Sequence, residues 1–254
     1  MKALERYSLY EIEQLRKLKA WQKKMQQSPG IIDKLGSRVQ KKINSYIPEK
    51  IHDALTAVIK KMIEAVLFTS EFVKPAVVTN KSMQEIEQSV ETRMEYYRST
   101  AAVEGGVTGF AGILGSVADF PLLLAIKIKF MFDVAAMYGY DTSNLKERVF
   151  LLYVFQLAFS NPVKRASVYE RLAHWSQYSQ QIPDDLNSMD WRDFQQQYRD
   201  YLDIAKLAQM LPGIGAAVGV VVNYRLLNQL HKTAIMCYRM RRFGELDKEL
   251  SERN

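Results

Sequence analysis

Apolar residues recur at three- and four-residue steps along most of the chain, and no stretch shows the strict alternation of a half-buried strand. Ser8-Leu9-Tyr10-Glu11 has the capping-box pattern and opens a first helix. Its apolar stripe, Leu15, Leu18, Trp21 and Met25, stops at Ser28-Pro29-Gly30. A short helix over about 31–46 follows. Pro48, at a first helical turn, begins a longer helix in which Ile51, Leu55, Val58, Ile59, Met62, Ile63 and Val66 share a face, ending before Pro75. Ser82-x-x-Glu85 is a second capping box, leading through Met94, Tyr97 and Ala101. Asn161-Pro162 reads as an N-cap with Pro at the first helical position, and Ser188 precedes a helix to about Gln209. No repeat or long linker divides the chain. The pattern predicts an all-α, single-domain bundle of about eight to ten helices over residues 10–243, between a short tail (1–9) and a charged tail (244–254).

Two segments break the amphipathic rule. Between Glu104 and Lys127 lie 22 residues whose only charge is Asp119, and between Lys206 and Arg225 lie 18 with none. At about 100° per residue, Ala101, Gly105, Gly109, Gly112 and Ser116 fall on one face, with Gly106 and Gly115 beside them. Ala208, Pro212, Gly215 and Gly219 make a similar stripe, with Gly213 near it. A glycine inside a helix costs about 1 kcal/mol relative to alanine, so so many together require a close backbone approach in return. Two placements satisfy that requirement. The segments pack on each other inside the bundle, or one or both enter a bilayer as a hairpin or a shallow insertion. Stable spanning is disfavoured, because it takes about 20 apolar residues and Asp119, Pro121 and Pro212 interrupt the runs. Asp119 is expected to cap a helix continuing through Leu124, Ile128, Met131 and Ala135, which Gly139 ends just after Tyr138.

The overall balance is ordinary: 254 residues, 48% hydrophobic and 25% charged, with a mean hydropathy of −0.21. The net charge of +7 is unevenly placed, since residues 14–74 hold 13 Lys+Arg against 5 Asp+Glu. Lys17, Lys23, Lys24, Lys41, Lys42, Lys60 and Lys61, with Arg239, Arg241 and Arg242 near the other end, are the candidate anionic-surface contacts. Nucleic acid could use the same charge only non-specifically, for want of a recognition motif. The opening residues carry charges every few positions and no apolar run, so a cytoplasmic location is expected. The lone Cys237, in TAIMCY, is expected to be a buried thiol and excludes a disulfide framework.

Little chemistry is legible. The glycine spacing around Gly106, Gly109 and Gly112 is wrong for a dinucleotide loop, and no Gly-Lys-Ser/Thr follows. His52, His174 and His231 fall on three different helices, so neither a metal nor a cofactor is expected. Glu104 and Asp119, bordering or inside the uncharged run, are the only candidate acid–base pair, while Asp133 is expected to pair with Lys129. Tyr96, Tyr97, Tyr138, Tyr140, Tyr153, Tyr224 and Tyr238 gather near the edges of the apolar segments, where they would suit either a membrane interface or helix packing. His174, Trp175 and Tyr178 read as one packed face.

The run from Ala101 to Leu157, with its ladder Gly105, Gly106, Gly109, Gly112 and Gly115, its Asp119-Phe120-Pro121 turn and its Ala135-Ala136-Met137-Tyr138-Gly139-Tyr140-Asp141, resembles the EcsC family of bacterial proteins. Leu211-Pro212-Gly213-Ile214-Gly215-Ala216-Ala217 through Asn223 is a second matching block, and the region from Trp21 to Pro48 fits more loosely. The resemblance spans about residues 10–243. It implies membrane proximity and a link to an ABC transporter, beside whose components the family's namesake gene lies; it brings no catalytic residue set. The expectation is a non-enzymatic protein docked peripherally on the inner membrane face. The alternatives are a helical hydrolase using Glu104 and Asp119, or a lipid or small-molecule binder with an enclosed apolar cavity between the glycine helices.

Overall fold

A computed structural model describes residues 7–27, 49–68, 72–74, 80–108, 112–183, 191–202 and 216–252; over 49–52, 54–55, 100–108, 112–123, 191–193, 197, 216–223 and 246–252 it describes the backbone alone. The helices are α1 (Leu9–Gln26), α2 (Glu49–Phe68), α3 (Met83–Thr108), α4 (Gly112–Met137), α5 (Leu145–Ala158), α6 (Arg165–Ala173), α7 (Trp175–Tyr178), α8 (Trp191–Tyr201) and α9 (Ala216–Glu252), with a 3₁₀ turn at Ser179–Gln181. An isolated bridge between Ser160 and Leu202 is the only β-type pairing among the described residues. The fold is an all-α bundle, as the periodicity predicts. The expected helix over 31–46, and the stretch from Ser188 to the start of α8, lie outside the described residues.

α5 is the axis of the bundle. Every residue from Val149 to Ala158 is buried, so this helix is enclosed on all sides. α2, α4, α6 and α9 surround it, and α8 is tied to it where the Gln156 amide donates to Tyr198 O (3.1 Å) and the Tyr198 hydroxyl donates to Leu152 O (2.8 Å). The α2 stripe is buried from Val58 through Val66, as read from its spacing. Both capping boxes form. Ser8 and Glu11 satisfy each other's backbone N–H groups at the start of α1, and Ser82 and Glu85 do so for α3 (2.8 and 3.3 Å).

α4 departs from expectation. It runs unbroken from Gly112 to Met137, so Asp119 and Pro121 lie inside the helix, and Asp119 is not an N-cap. A proline there removes one backbone hydrogen bond, but the helix it interrupts is packed against α2 and α3. The Asn161-Pro162 reading is also shifted. Asn161 Oδ1 accepts the Val163 N–H (2.9 Å) and Asn161 O accepts the Lys164 N–H (3.0 Å), a closed turn that delays α6 to Arg165. α9, finally, continues past residue 243 to Glu252.

The end of α4 follows the sequence. Gly139 has φ +88°, its N–H donates to Ala136 O and that of Tyr140 to Ala135 O, both at 3.0 Å, which is a Schellman closure. A Cβ at Gly139 would meet nothing within 4 Å, so only backbone strain opposes a side chain there. Gly139→Ala is expected to cost about 1–2 kcal/mol in urea unfolding. Gly244, inside α9 with equally open space, should instead gain up to about 1 kcal/mol as Gly244→Ala. Equal effects at the two positions would contradict the strain argument.

Candidate functional site

α3 and α9 run antiparallel along a polar seam whose register is set by Glu87 against Arg239, Glu91 against His231 and Arg98 against Asn228. Continuing that register by two turns brings Gly105 of α3 level with Gly219 of α9, to within about one turn. α4 returns beside α3, with Asp133 and Phe130 both against Tyr97, so Gly112 and Gly115 at its start lie at the same end. The described parts of both glycine-rich blocks therefore lie at the same end of the α3, α4 and α9 helices. Gly109, Gly213 and Gly215 lie outside the described residues.

A collar of polar and aromatic side chains sits just below this end. Arg98 binds Glu91 (3.0 Å), Glu95 and Asn228, and its guanidinium lies 5.6 Å from the Tyr224 ring. Tyr96 and Tyr224 are 59% and 48% exposed, a large apolar display for rings of that size. Of the seven tyrosines expected near the apolar edges, these two face outward. Tyr97, Tyr138, Tyr153 and Tyr238 are buried and Tyr140 is partly so, where packing explains them.

Beside the collar lies an open groove of about 550 Å³ between α1, the end of α5, the start of α6 and α9. Trp21, Met25, Leu157 and Ala158 line it together with four cations, Lys24, Arg165, Arg225 and Lys232. On α9, Arg225, Asn228, Gln229 and Lys232 stand at helical spacing, so one face of that helix supplies most of the polar wall. No carboxylate lines the groove, and no ion pair among the described residues engages any of the four cations. Sequence reasoning found only Lys24 of these, because Arg165, beside Lys164, and the single Arg225 and Lys232 lie outside the basic stretch over 14–74 and the arginines near the other end.

The remaining charge is internal. The Glu87 carboxylate accepts two hydrogen bonds from Arg239 (both 2.6 Å), one from Tyr10 (2.6 Å) and one from Tyr138 (3.1 Å), all within the bundle. Arg241 makes a two-bond pair with Glu147 (2.5 and 2.8 Å) while stacking 3.6 Å from the Tyr140 ring centre. Arg239 and Arg241 are therefore not part of an exposed basic patch, and Arg242 is half-buried. Lys23, Lys24, Lys60 and Lys61 are exposed, Lys17 pairs with Glu13 (2.6 Å), and Lys41 and Lys42 lie outside the described residues.

Buried Asp133 does not pair with Lys129, which points outward. It takes Lys74, Arg93 (3.4 Å) and the Tyr97 hydroxyl (2.7 Å), a sheltered site between α3, α4 and the residue 72–74 segment. Burial holds the His231 imidazolium below its usual range, with Glu91 at 3.3 Å opposing the shift. His174 is exposed rather than packed with Trp175, and Glu170, one turn earlier, is 3.4 Å away, a neighbour at helical spacing that the sequence reading passed over. Cys237 is fully buried, and burial raises its thiol pKa. No group of three metal-binding side chains occurs among the described residues. The side chains of Glu104, Asp119, Asn223 and His52, and any cavity between the glycine helices, lie outside them; the backbones of Glu104 and Asn223 are helical, in α3 and α9.

Comparison with known proteins places this architecture. A family profile of the EcsC protein family matches residues 12–243. The chain belongs to the EcsC family. Protein EcsC of Bacillus subtilis (strain 168) is 42% identical over 222 residues, covering 87% of this chain and 91% of that protein. The uncharacterized protein YdbA of the same organism is 34% identical over 151 residues, 59% of this chain and 56% of its own length. No solved structure matches. The family match covers both glycine-rich blocks, the Tyr138-Gly139 closure and all four groove cations, so the glycine end and the groove both lie inside the EcsC region.

Proposed function

We propose that this EcsC-family protein docks peripherally on the cytoplasmic face of a membrane, with its glycine-rich end inserting shallowly and its basic helices on the leaflet surface. The observation that carries this reading is that the described parts of both glycine-rich blocks lie at one end of α3, α4 and α9, beyond exposed Tyr96 and Tyr224. Aromatic rings at that level suit the headgroup region, and cations just below them suit anionic lipid. No helix among the described residues is long and apolar enough to cross a membrane, which fits a shallow rather than a spanning mode. The transporter link that the family resemblance implies makes a membrane-embedded transporter the natural neighbour at that surface.

The test adds a second thiol to the chain. Cys237 is fully buried, so Thr108→Cys, at the end of α3, is labelled at the glycine-rich end and its labelling is checked against the unsubstituted protein. An environment-sensitive fluorophore there is expected to shift to the blue on vesicles with about one third anionic lipid, and the bound protein should be released by a carbonate wash. A fluorophore unchanged by vesicles, or protein retained after carbonate, would overturn the shallow-insertion reading.

A further inference from the structure

We propose that the groove between α1, α5, α6 and α9 is a binding site for the phosphate of an anionic phospholipid, so that the protein recognises a headgroup rather than a charged surface in general. This deepens the reading above and rests on it. Three features of the groove carry the proposal.

The first is charge complementarity. Lys24, Arg165, Arg225 and Lys232 come from three helices and converge on one depression that no carboxylate lines. In a chain with 28 acidic residues, many of them answering nearby arginines, four cations with no ion pair among the described residues form a site suited to an anion. Asn228 and Gln229 add polar groups between them, although the Gln229 amide already donates to Ala158 O and Asn228 already accepts from Arg98.

The second feature is the floor. Trp21, Met25 and Leu157 are apolar, which a free inorganic anion does not need and a glycerol backbone with the start of its acyl chains does. At about 550 Å³ the groove lies within the usual range of roughly 300–1,000 Å³ for small-ligand sites.

The third is position. Arg225 is six residues past Gly219, about 9 Å along α9, so a phosphate held there sits close below the glycine-rich end. A lipid whose phosphate lies in the groove could therefore keep its chains in the leaflet that the glycine end enters.

The test compares two pairs of substitutions that remove equal charge. Arg225→Gln with Lys232→Gln empties half the groove of cations, whereas Lys19→Gln with Lys81→Gln removes two exposed lysines elsewhere. Binding is measured by co-sedimentation with vesicles of phosphatidylcholine alone or with about one third phosphatidylglycerol, and insertion is followed in parallel by the Thr108→Cys fluorophore. The groove pair is expected to weaken binding to phosphatidylglycerol vesicles on the order of 30-fold, and the control pair about threefold or less. Equal losses would mean diffuse surface charge and overturn the site. Displacement from vesicles by millimolar inorganic phosphate would mark a free-anion site and overturn the lipid assignment. A groove pair that binds like the unsubstituted protein, with the fluorophore still shifting, would remove the groove but keep the insertion reading. A full-strength protein that binds no vesicle removes both.

Discussion

Arg239→Met is expected to lower unfolding free energy by about 3–5 kcal/mol, because it leaves the Glu87 carboxylate buried with only two tyrosine hydroxyls to solvate its charge. For a chain of this size that is a fall of roughly 10 °C in melting temperature. Removing one partner of a buried pair is costly mainly through the charge left behind, and the two 2.6 Å bonds from Arg239 are half of the four that Glu87 accepts. The double variant Glu87→Leu with Arg239→Met should recover more than half of the loss, since it leaves no charge in the interior. What it does not restore is the tie between elements: Tyr10 from α1, Glu87 from α3, Tyr138 from the end of α4 and Arg239 from α9 all meet at this carboxylate. Urea unfolding followed by circular dichroism measures both values. A cost below about 1 kcal/mol for Arg239→Met would show that the pair is hydrated and that its role in the bundle is slight.

That pair also marks where local reading of the sequence stops working. Ser8, Ser82 and Gly139 announce helix ends because the groups they satisfy lie within five residues, and all three behave as read. The glycine-rich blocks are legible for the same reason, as an excess of one residue type at one spacing. Arg239 was assigned to the surface because Arg239-Met240-Arg241-Arg242 is a basic run, yet its partner is 152 residues away. Asp133 likewise had a cation four residues earlier and took others from α3 and the 72–74 segment. Spacing along one helix cannot rank a neighbour one turn away against one brought by tertiary packing. The groove escapes for a third reason: Arg165, Arg225 and Lys232 lie far apart along the chain, and only the fold makes a cluster of them. Pro121 shows the converse error, a strong local breaker overruled by the helices packed along α4.

Relative to its parent, Lys127→Met is expected to lose about 2–3 kcal/mol of stability as the pH rises from 7 to about 10. Lys127 is 2% exposed on α4, and burial pushes its ammonium down to about 8, against about 10.4 in an unfolded chain. Between those values the unfolded state holds a proton that the folded state has released, so folding stability contributed by this site increases with pH; below about 8 both states are protonated and the full penalty persists. The absolute pH profile of the unsubstituted protein will not show this rise alone. The Cys237 thiol, raised by burial, keeps its proton in the folded state where the unfolded thiol loses it near pH 8.5, which opposes the rise from there upward. Tyr97, Tyr138, Tyr198 and Tyr238, all raised first by burial, add a steeper loss above about pH 10. Both contributions cancel in the difference between Lys127→Met and its parent, so that difference, measured by urea unfolding from pH 6 to 10, isolates one group. A difference that stays flat across the range would mean that Lys127 keeps its ordinary proton affinity inside the bundle.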